Sequence, residues 1–150
     1  MVDIIESILT DVGIDVLSEY RRQLMEVGAD PDGQLSSTAS FRIDTRGGSY
    51  ELVLELQDYW KYVERGRRSG KFPPPEAIHQ WIRLRRIVPR EVNGITPTDR
   101  QLGYLIGRKI SREGIRARRP LGRAYDAIMD REMDMLYEVM RNEIIEVTRL

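Results

Sequence analysis

The sequence predicts an α+β fold, in which a small antiparallel sheet built on one β-hairpin packs against helices. Apolar residues recur at three- and four-residue intervals over residues 3–27 and 121–148, which is typical of a long amphipathic helix at each end. Residues 37–57 instead alternate apolar and polar side chains, which is typical of a hairpin. The 150 residues suffice for one domain with a core and are too few for two ordinary ones, so residues 1–150 are predicted to form a single domain.

The N-terminal helix is predicted over residues 3–27. Its apolar stripe consists of Ile5, Ile8, Val12, Val16, Tyr20, Leu24 and Val27. Gly13 interrupts this stripe and indicates either a bend or a close contact with another element. Gly28 and the Asp-Pro-Asp-Gly turn cluster at 30–33 end the helix, because glycine adopts the left-handed conformation that helix ends favour.

The hairpin is centred on the Arg-Gly-Gly-Ser sequence at 46–49, which suits a two-residue turn. Pairing the two ends of this sequence places every apolar side chain on one face, and a one-residue slip would break that arrangement. The facing apolar pairs are then Ala39 with Leu56, Phe41 with Leu54, and Ile43 with Leu52. In the same register Asp44 opposes Glu51, a repulsion that the neighbouring Arg42 and Arg46 would ease.

Two further helices are predicted after the hairpin. A short helical turn at 58–66 carries three aromatic residues, and the three consecutive prolines at 73–75 require an extended loop before a helix at about 75–87. On that helix His79, Arg83 and Arg86 are expected to form an outward strip.

The next helix is predicted at 97–113, with Thr96 as its N-cap and Pro97 at its first position. Gly103 and Gly107 lie four residues apart on this helix, so together they would permit close packing against another element.

The C-terminal helix, at 121–148, is the longest. Its stripe has nearly heptad spacing and consists of Tyr125, Met129, Met133, Leu136, Met140, Ile144 and Val147. Such a stripe fits a helix in the core of its own domain. It also fits a helix that packs in part against a neighbouring subunit.

The net charge is zero, yet the charges are strongly segregated. Residues 1–60 hold four arginines and twelve acids, and residues 124–150 hold three arginines and seven acids. Residues 61–123 hold seventeen lysines and arginines against five acids. This asymmetry favours either a polyanionic partner or association between copies of the chain.

No catalytic, metal or cofactor site is predicted. The chain has no cysteine and one histidine, so thiol chemistry and multi-histidine metal sites are excluded. The Gly-Arg-Arg-Ser-Gly-Lys sequence at 66–71 departs from a phosphate-binding loop in its spacing and in the phenylalanine that follows. Glu51, Glu55 and Asp58 are spaced as nuclease carboxylates can be, although the outward face of a hairpin favours solvated charges. No run approaches the about 18 apolar residues of a membrane helix.

Two stretches resemble the neck or tail-completion (head–tail joining) proteins of tailed bacteriophages. The first, within residues 50–87, contains Tyr62-Val63-Glu64-Arg65-Gly66-Arg67, the Lys-Phe-Pro-Pro loop at 71–74 and the following helix. The second, within 97–121, runs from Leu-Gly-Tyr-Leu-Ile-Gly-Arg-Lys-Ile at 102–110 to the Arg-Pro-Leu at 119–121. Members of this family commonly place a Tyr-Val-Glu-x-Gly stretch after a sheet and an arginine-proline-hydrophobic sequence near the last helix.

The resemblance implies a non-enzymatic structural protein of the virion, assembled in the host cytoplasm. Such a subunit forms a homo-oligomeric ring in the neck, where the ring joins the portal to the tail around the DNA channel. The charge segregation independently favours head-to-tail association, which gives a ring if the rotation closes. The cations expected to contact a neighbour, the portal or passing DNA are Arg65, Arg67, Arg68, Lys71, Arg116, Arg118 and Arg119.

Two alternatives remain at this point. The same cations could form a solvated loop face that binds nothing, since exposed ion pairs contribute only about 0–1 kcal/mol each. The chain could also be a free DNA-binding or DNA-processing protein that uses the basic 61–123 segment to contact the phosphate backbone without sequence specificity.

Overall fold

The computed structural model describes residues 2–148 and confirms the α+β class. The helices are α1 (Val2–Glu26), α2 (Gln34–Thr38), α3 (Trp60–Arg65), α4 (Pro75–Leu84), α5 (Asp99–Glu113) and α6 (Pro120–Thr148). Between α2 and α3, β1 (Ser40–Arg46) and β2 (Ser49–Glu55) form a two-stranded antiparallel sheet. The long terminal helices and the hairpin were predicted, whereas the short helix α2 was not.

The hairpin has the predicted register. The paired residues include Arg46 with Ser49, Ile43 with Leu52, and Phe41 with Leu54. Asp44 faces Glu51, and both Arg42 and Arg46 form ion pairs with Asp44, which offsets the repulsion as expected. The predicted pairing of Ala39 lies beyond the ladder, because Ala39 is the C-cap of α2 and is buried there.

Helix α1 lies at the centre of the packing and contacts α2, both strands and α6. The main core surrounds Tyr20 and Leu24, whose exposed fractions are 1% and 0%. A smaller cluster joins Val12 and Val16 of α1 to Ile128 of α6. The apolar face of the hairpin is therefore covered by a helix, as a two-stranded sheet requires for stability.

Gly13 of α1 marks a close contact, one of its two predicted roles. A Cβ atom placed on Gly13 would lie 2.6 Å from two ring carbons of Phe41 on β1. Because real Cβ atoms are not found so near another carbon, the absence of a side chain at this position lets the hairpin approach α1.

Helices α4 and α5 pack closely through the two glycines of α5, an approach that the spacing of the glycines permits. A Cβ atom on Gly103 would lie 2.7 Å from Nε2 of His79, and one on Gly107 would lie 2.8 Å from Cδ1 of Ile78, both on α4; the latter would also clash with the Phe72 ring in the loop before α4. The prediction that His79 lies on an outward strip is wrong, because the space beside Gly103 admits its imidazole and leaves it half-buried. Arg83 and Arg86 are exposed.

The start of α5 also differs from the prediction. The helix begins at Asp99 with Thr98 as its N-cap, two residues later than expected. The Thr98 hydroxyl accepts a hydrogen bond from the Gln101 N–H at 3.3 Å, and the Gln101 side chain accepts one from the Thr98 N–H at 2.9 Å. This reciprocal capping box fixes the first turn and excludes Thr96 as the cap.

The buried face of α6 coincides only in part with the predicted stripe, of which Met129 packs against the smaller core cluster and Leu136 is half-buried. Its innermost residues, Ala124, Ile128 and Glu132, recur every four positions. Tyr125 and Met133, which belong to the predicted stripe, are each 56% exposed. The side chains of Met140, Ile144 and Val147 lie outside the described ones.

The cause of this shift is the contact between α6 and α1. Small Ala124 and branched Ile128 fit against α1, and the buried Glu132 carboxylate accepts a hydrogen bond from Arg131 at 2.9 Å. Arg131 in turn reaches Asp15 of α1 at 2.7 Å. A charged residue thus occupies a core position, and a pattern of apolar residues alone does not indicate such a position.

Candidate functional site: a basic cleft

The two basic segments singled out in the sequence are joined by backbone hydrogen bonds. Arg67 and Ile115 form an antiparallel bridge in which each N–H donates to the other's carbonyl oxygen at 2.8 Å. Three residues further along, the Gly70 N–H donates to the Ser111 carbonyl at 2.7 Å and the Ser111 hydroxyl donates to the Gly70 carbonyl at 2.6 Å. The loop after α3 is therefore fastened to the end of α5.

Two glycines permit this approach. Gly66 and Gly114 end α3 and α5 with φ values of 67° and 73°, a range that side chains other than glycine rarely adopt. A Cβ atom on Gly66 would clash with the Ile115 carbonyl and lie 2.6 Å from the backbone nitrogen of Ala117. A Cβ atom on Gly114 would clash with the Arg67 carbonyl.

Glu64 holds the beginning of α6. Its two carboxylate oxygens accept hydrogen bonds from the backbone N–H groups of Leu121 and Gly122 at 2.8 and 2.9 Å. A carboxylate at this place satisfies two of the N–H groups that a helix leaves unpaired and also complements the helix dipole. The sequence pattern alone assigned no role to Glu64. Its place in the Tyr-Val-Glu-x-Gly stretch was the signal that could have drawn attention to it.

Arg118 joins the connector before α6 to α1. Its backbone N–H donates to the Val63 carbonyl at 2.9 Å. Its guanidinium donates to the carbonyls of Val27 and Gly28, both at 3.0 Å, just beyond the C-terminal end of α1. A cation there complements the negative end of the helix dipole. Arg118 therefore has an internal structural role in addition to any binding role.

These contacts surround a cleft of about 560 Å³, here called the basic cleft. Its floor is formed mainly by α3, α4, α5 and the 114–116 connector, and its apolar side chains include Tyr62, Val63, Ala77, Ile78, Trp81, Ile106, Ile110 and Ile115. Five cations line it as well, namely Arg67, Arg85, Lys109, Arg116 and Arg118. An apolar floor with a cationic edge can receive a molecule that is both apolar and acidic.

The predicted cations divide between this cleft and the surrounding surface. Arg67, Arg116 and Arg118 line the cleft. The remaining four, which do not line it, are exposed and consist of Arg65, Arg68, Lys71 and Arg119. Arg67 also donates to the carbonyl of Lys71 at 3.2 Å, which ties the loop to its own beginning.

Arg85 and Lys109 also line the cleft, although the sequence pattern did not indicate either of them as a site residue. Arg85 stacks over the Trp81 ring at 5.4 Å and donates to Asp32 at 3.1 Å. Lys109 lies 4.0 Å from Glu113 on α5. Neither residue belongs to the basic runs at 65–71 and 116–119, and only the fold brings them to the same cleft.

Tyr59 contributes the one buried side-chain polar atom without a hydrogen-bond partner in the described part of the chain, its hydroxyl oxygen. The residue is 8% exposed and lines the basic cleft. Burial raises the pKa of this phenol above its usual value, so Tyr59 is a neutral hydrogen-bond donor at physiological pH.

The carboxylates considered for nuclease chemistry are not arranged as a metal site. Glu55 accepts a hydrogen bond from Arg42 at 2.9 Å, and Glu51 faces Asp44 across the sheet. Among the side chains that the structure describes, no group of three or more histidine or acidic residues could hold a metal ion. The same part of the chain contains no helix with the length and apolar character needed to cross a membrane.

Comparison of the chain with protein-family models, with characterised proteins and with solved structures finds no match. The functional interpretation therefore depends on the residues and geometry described above.

Proposed function

We propose that this chain is a structural protein of a tailed-bacteriophage virion, where copies of it form a ring in the neck that joins the portal to the tail around the DNA channel. The proposal begins from the sequence resemblance. The residues that carry the resemblance are also in contact with one another. Glu64 caps α6 at Leu121, and the absence of a side chain at Gly66 lets the backbone at Ile115 come close. The two stretches thus form one structural unit.

The observation that carries the proposal is the separation of opposite charges on one molecule. Five cations of the 61–123 segment line the basic cleft and four more are exposed on the surrounding surface, whereas the outer face of α6 carries Asp126, Asp130 and Asp134, all exposed. Two different surfaces of opposite charge permit head-to-tail association, in which the basic surface of one copy binds the acidic surface of the next. Repetition of such a contact gives a ring when the rotation closes.

The experiment is sedimentation of the purified full-length protein over a range of concentrations, alone and with the portal protein encoded in the same genome. The proposal predicts a closed oligomer, formed alone or on the portal, and density for this chain in cryo-electron micrographs of the virion neck. A monomer that persists in the presence of the portal, or virions that lack the chain, would refute it.

The second candidate, a free DNA-binding protein, rests on the same group of cations. It predicts a monomer that binds duplex DNA tightly at low salt and loses affinity steeply as the salt concentration rises, because bound phosphates release their counterions. Measuring duplex binding at several salt concentrations on the same preparation decides between the two candidates.

A further inference from the structure

The floor of the basic cleft is apolar surface that the described chain leaves partly open to solvent. Val63, Ile106, Ile110 and Ile115 line it and are only half-buried. Apolar surface bordered by charged groups is typical of a site where another molecule binds.

Helix α6 carries a strip of matching chemistry on its outer face, here called the acidic strip. It consists of Asp126, Asp130, Met133, Asp134 and Tyr137. Spacings of three and four residues place these side chains on one face of the helix. Met133 and Tyr137 are 56% and 72% exposed, and none of the ion pairs in the described part of the chain involves the three aspartates.

We infer that the basic cleft of one copy binds the acidic strip of a second copy. This inference rests on the proposed function and names the contact between adjacent subunits of the ring. The two large apolar side chains of the strip face the apolar floor, while its carboxylates face the cations at the edge. A helix that places residues at such spacings into an apolar groove is a common mode of recognition.

The acidic strip cannot fill the cleft of its own copy, because the opposite face of α6 is fixed to α1. Ile128 packs there against Val12 and Val16, and Arg131 forms an ion pair with Asp15 at 2.7 Å. The strip therefore points away from the body of its own subunit. The contact joins two different surfaces, which is the head-to-tail arrangement that a ring needs.

Crosslinking tests this contact, and the natural absence of cysteine makes it direct. Ala77→Cys places a thiol on the exposed wall of the cleft, and Ala127→Cys places one beside the acidic strip. A short bis-maleimide should join these two variants when they are mixed under assembly conditions with the portal present. The matched control pairs Ala77→Cys with Met135→Cys, an exposed position on another side of α6, and should give little product.

Charge exchange provides a second readout. Arg116→Glu and Asp130→Lys should each weaken assembly at least about fivefold, and the double variant should recover much of the loss, because close charge pairs at interfaces are energetically coupled. Asp11→Lys makes the same charge change on the exposed surface of α1 and serves as the control. Sedimentation of full-length variants measures the assembly.

The outcomes separate this inference from the proposed function. A ring that assembles without the cleft-to-strip crosslink and without recovery in the double variant would overturn the contact and leave the proposed function standing. A crosslink from the cleft to the portal instead would also overturn it. A wild-type protein that stays monomeric with the portal would refute both.

Discussion

Replacing Gly66 by alanine tests whether the bridge between the two basic segments depends on a glycine. Gly66 has φ 67° and ψ −165°, a region that costs other residues about 1–3 kcal/mol. The added Cβ would lie 2.6 Å from the backbone nitrogen of Ala117. The clash is removed only if the two segments move apart. This movement weakens or breaks the two hydrogen bonds between Arg67 and Ile115, each worth about 0.5–1.5 kcal/mol. Together these costs amount to a loss of roughly 2–6 kcal/mol.

The assay is urea unfolding of wild-type protein and variants, followed by far-ultraviolet circular dichroism. Gly94→Ala is the matched control, because Gly94 also has a positive φ, 78°, but no neighbouring atom within 4 Å of an added Cβ. The control isolates the backbone cost, and Gly66→Ala should be clearly more destabilised. Equal losses in the two variants would refute the argument that close approach of the connector requires a glycine at position 66.

Three further predictions concern single side chains. Glu64→Gln should lower the free energy of unfolding by about 1 kcal/mol, measured by urea titration, because one acceptor and the charge at the start of α6 are lost. Thr98→Ala should cost a similar amount by removing the N-cap of α5, whereas Ser18→Ala at an exposed site on α1 should not. Hydrogen bonds from Arg22 and Gln23 lower the pKa of Glu19 to about 2. Its contribution to stability is therefore present above about pH 4.3 and is lost as the pH falls through about 2, and urea titrations across this range should show a smaller loss in Glu19→Gln.

Local patterns predicted the parts of the fold that depend on neighbouring residues. The hairpin register follows from the two-residue turn at 46–49 together with parity, since a one-residue slip would move Phe41 and Ile43 to the face opposite their apolar partners. The spacing of Gly103 and Gly107 permitted close packing of α5 against another element, and the structure shows that this element is α4. The exposure of Met133 on α6 could not be predicted in this way, because the inner stripe includes the charged Glu132.

The candidate site was predicted only in part, for a related reason. Arg67 and Arg116 belong to separate basic runs in the sequence, and the Arg67–Ile115 bridge that brings these runs together spans nearly fifty positions. A pairing between such distant segments leaves no periodic pattern of residues in the sequence. Arg85 was missed because it lies outside the basic runs, and its position over Trp81 beside the cleft depends on how α4 packs. The types of residue were therefore predictable, but the cleft they form was not.

The effect of a substitution on binding can be separated from its effect on folding when the substituted residue does not hold the junction, that is, the connection between the loop after α3, the end of α5 and the start of α6. Glu64 and Gly66 fix the junction through backbone contacts, and Arg118 has a second role because its guanidinium binds the carbonyls that follow α1. Arg116 is exposed and takes part in none of the ion pairs among the described residues. We expect Arg116→Glu to change the free energy of unfolding by no more than about 0.5 kcal/mol.

Arg118→Glu should instead destabilise the protein, because it places a negative charge beside carbonyl oxygens at the end of α1. Thermal unfolding of the two variants, compared with their assembly on the portal, separates the effects. If Arg116→Glu lost stability as Arg118→Glu does, the cleft edge would be part of the folded core, and the weakened assembly of the variant would no longer indicate a contact between subunits.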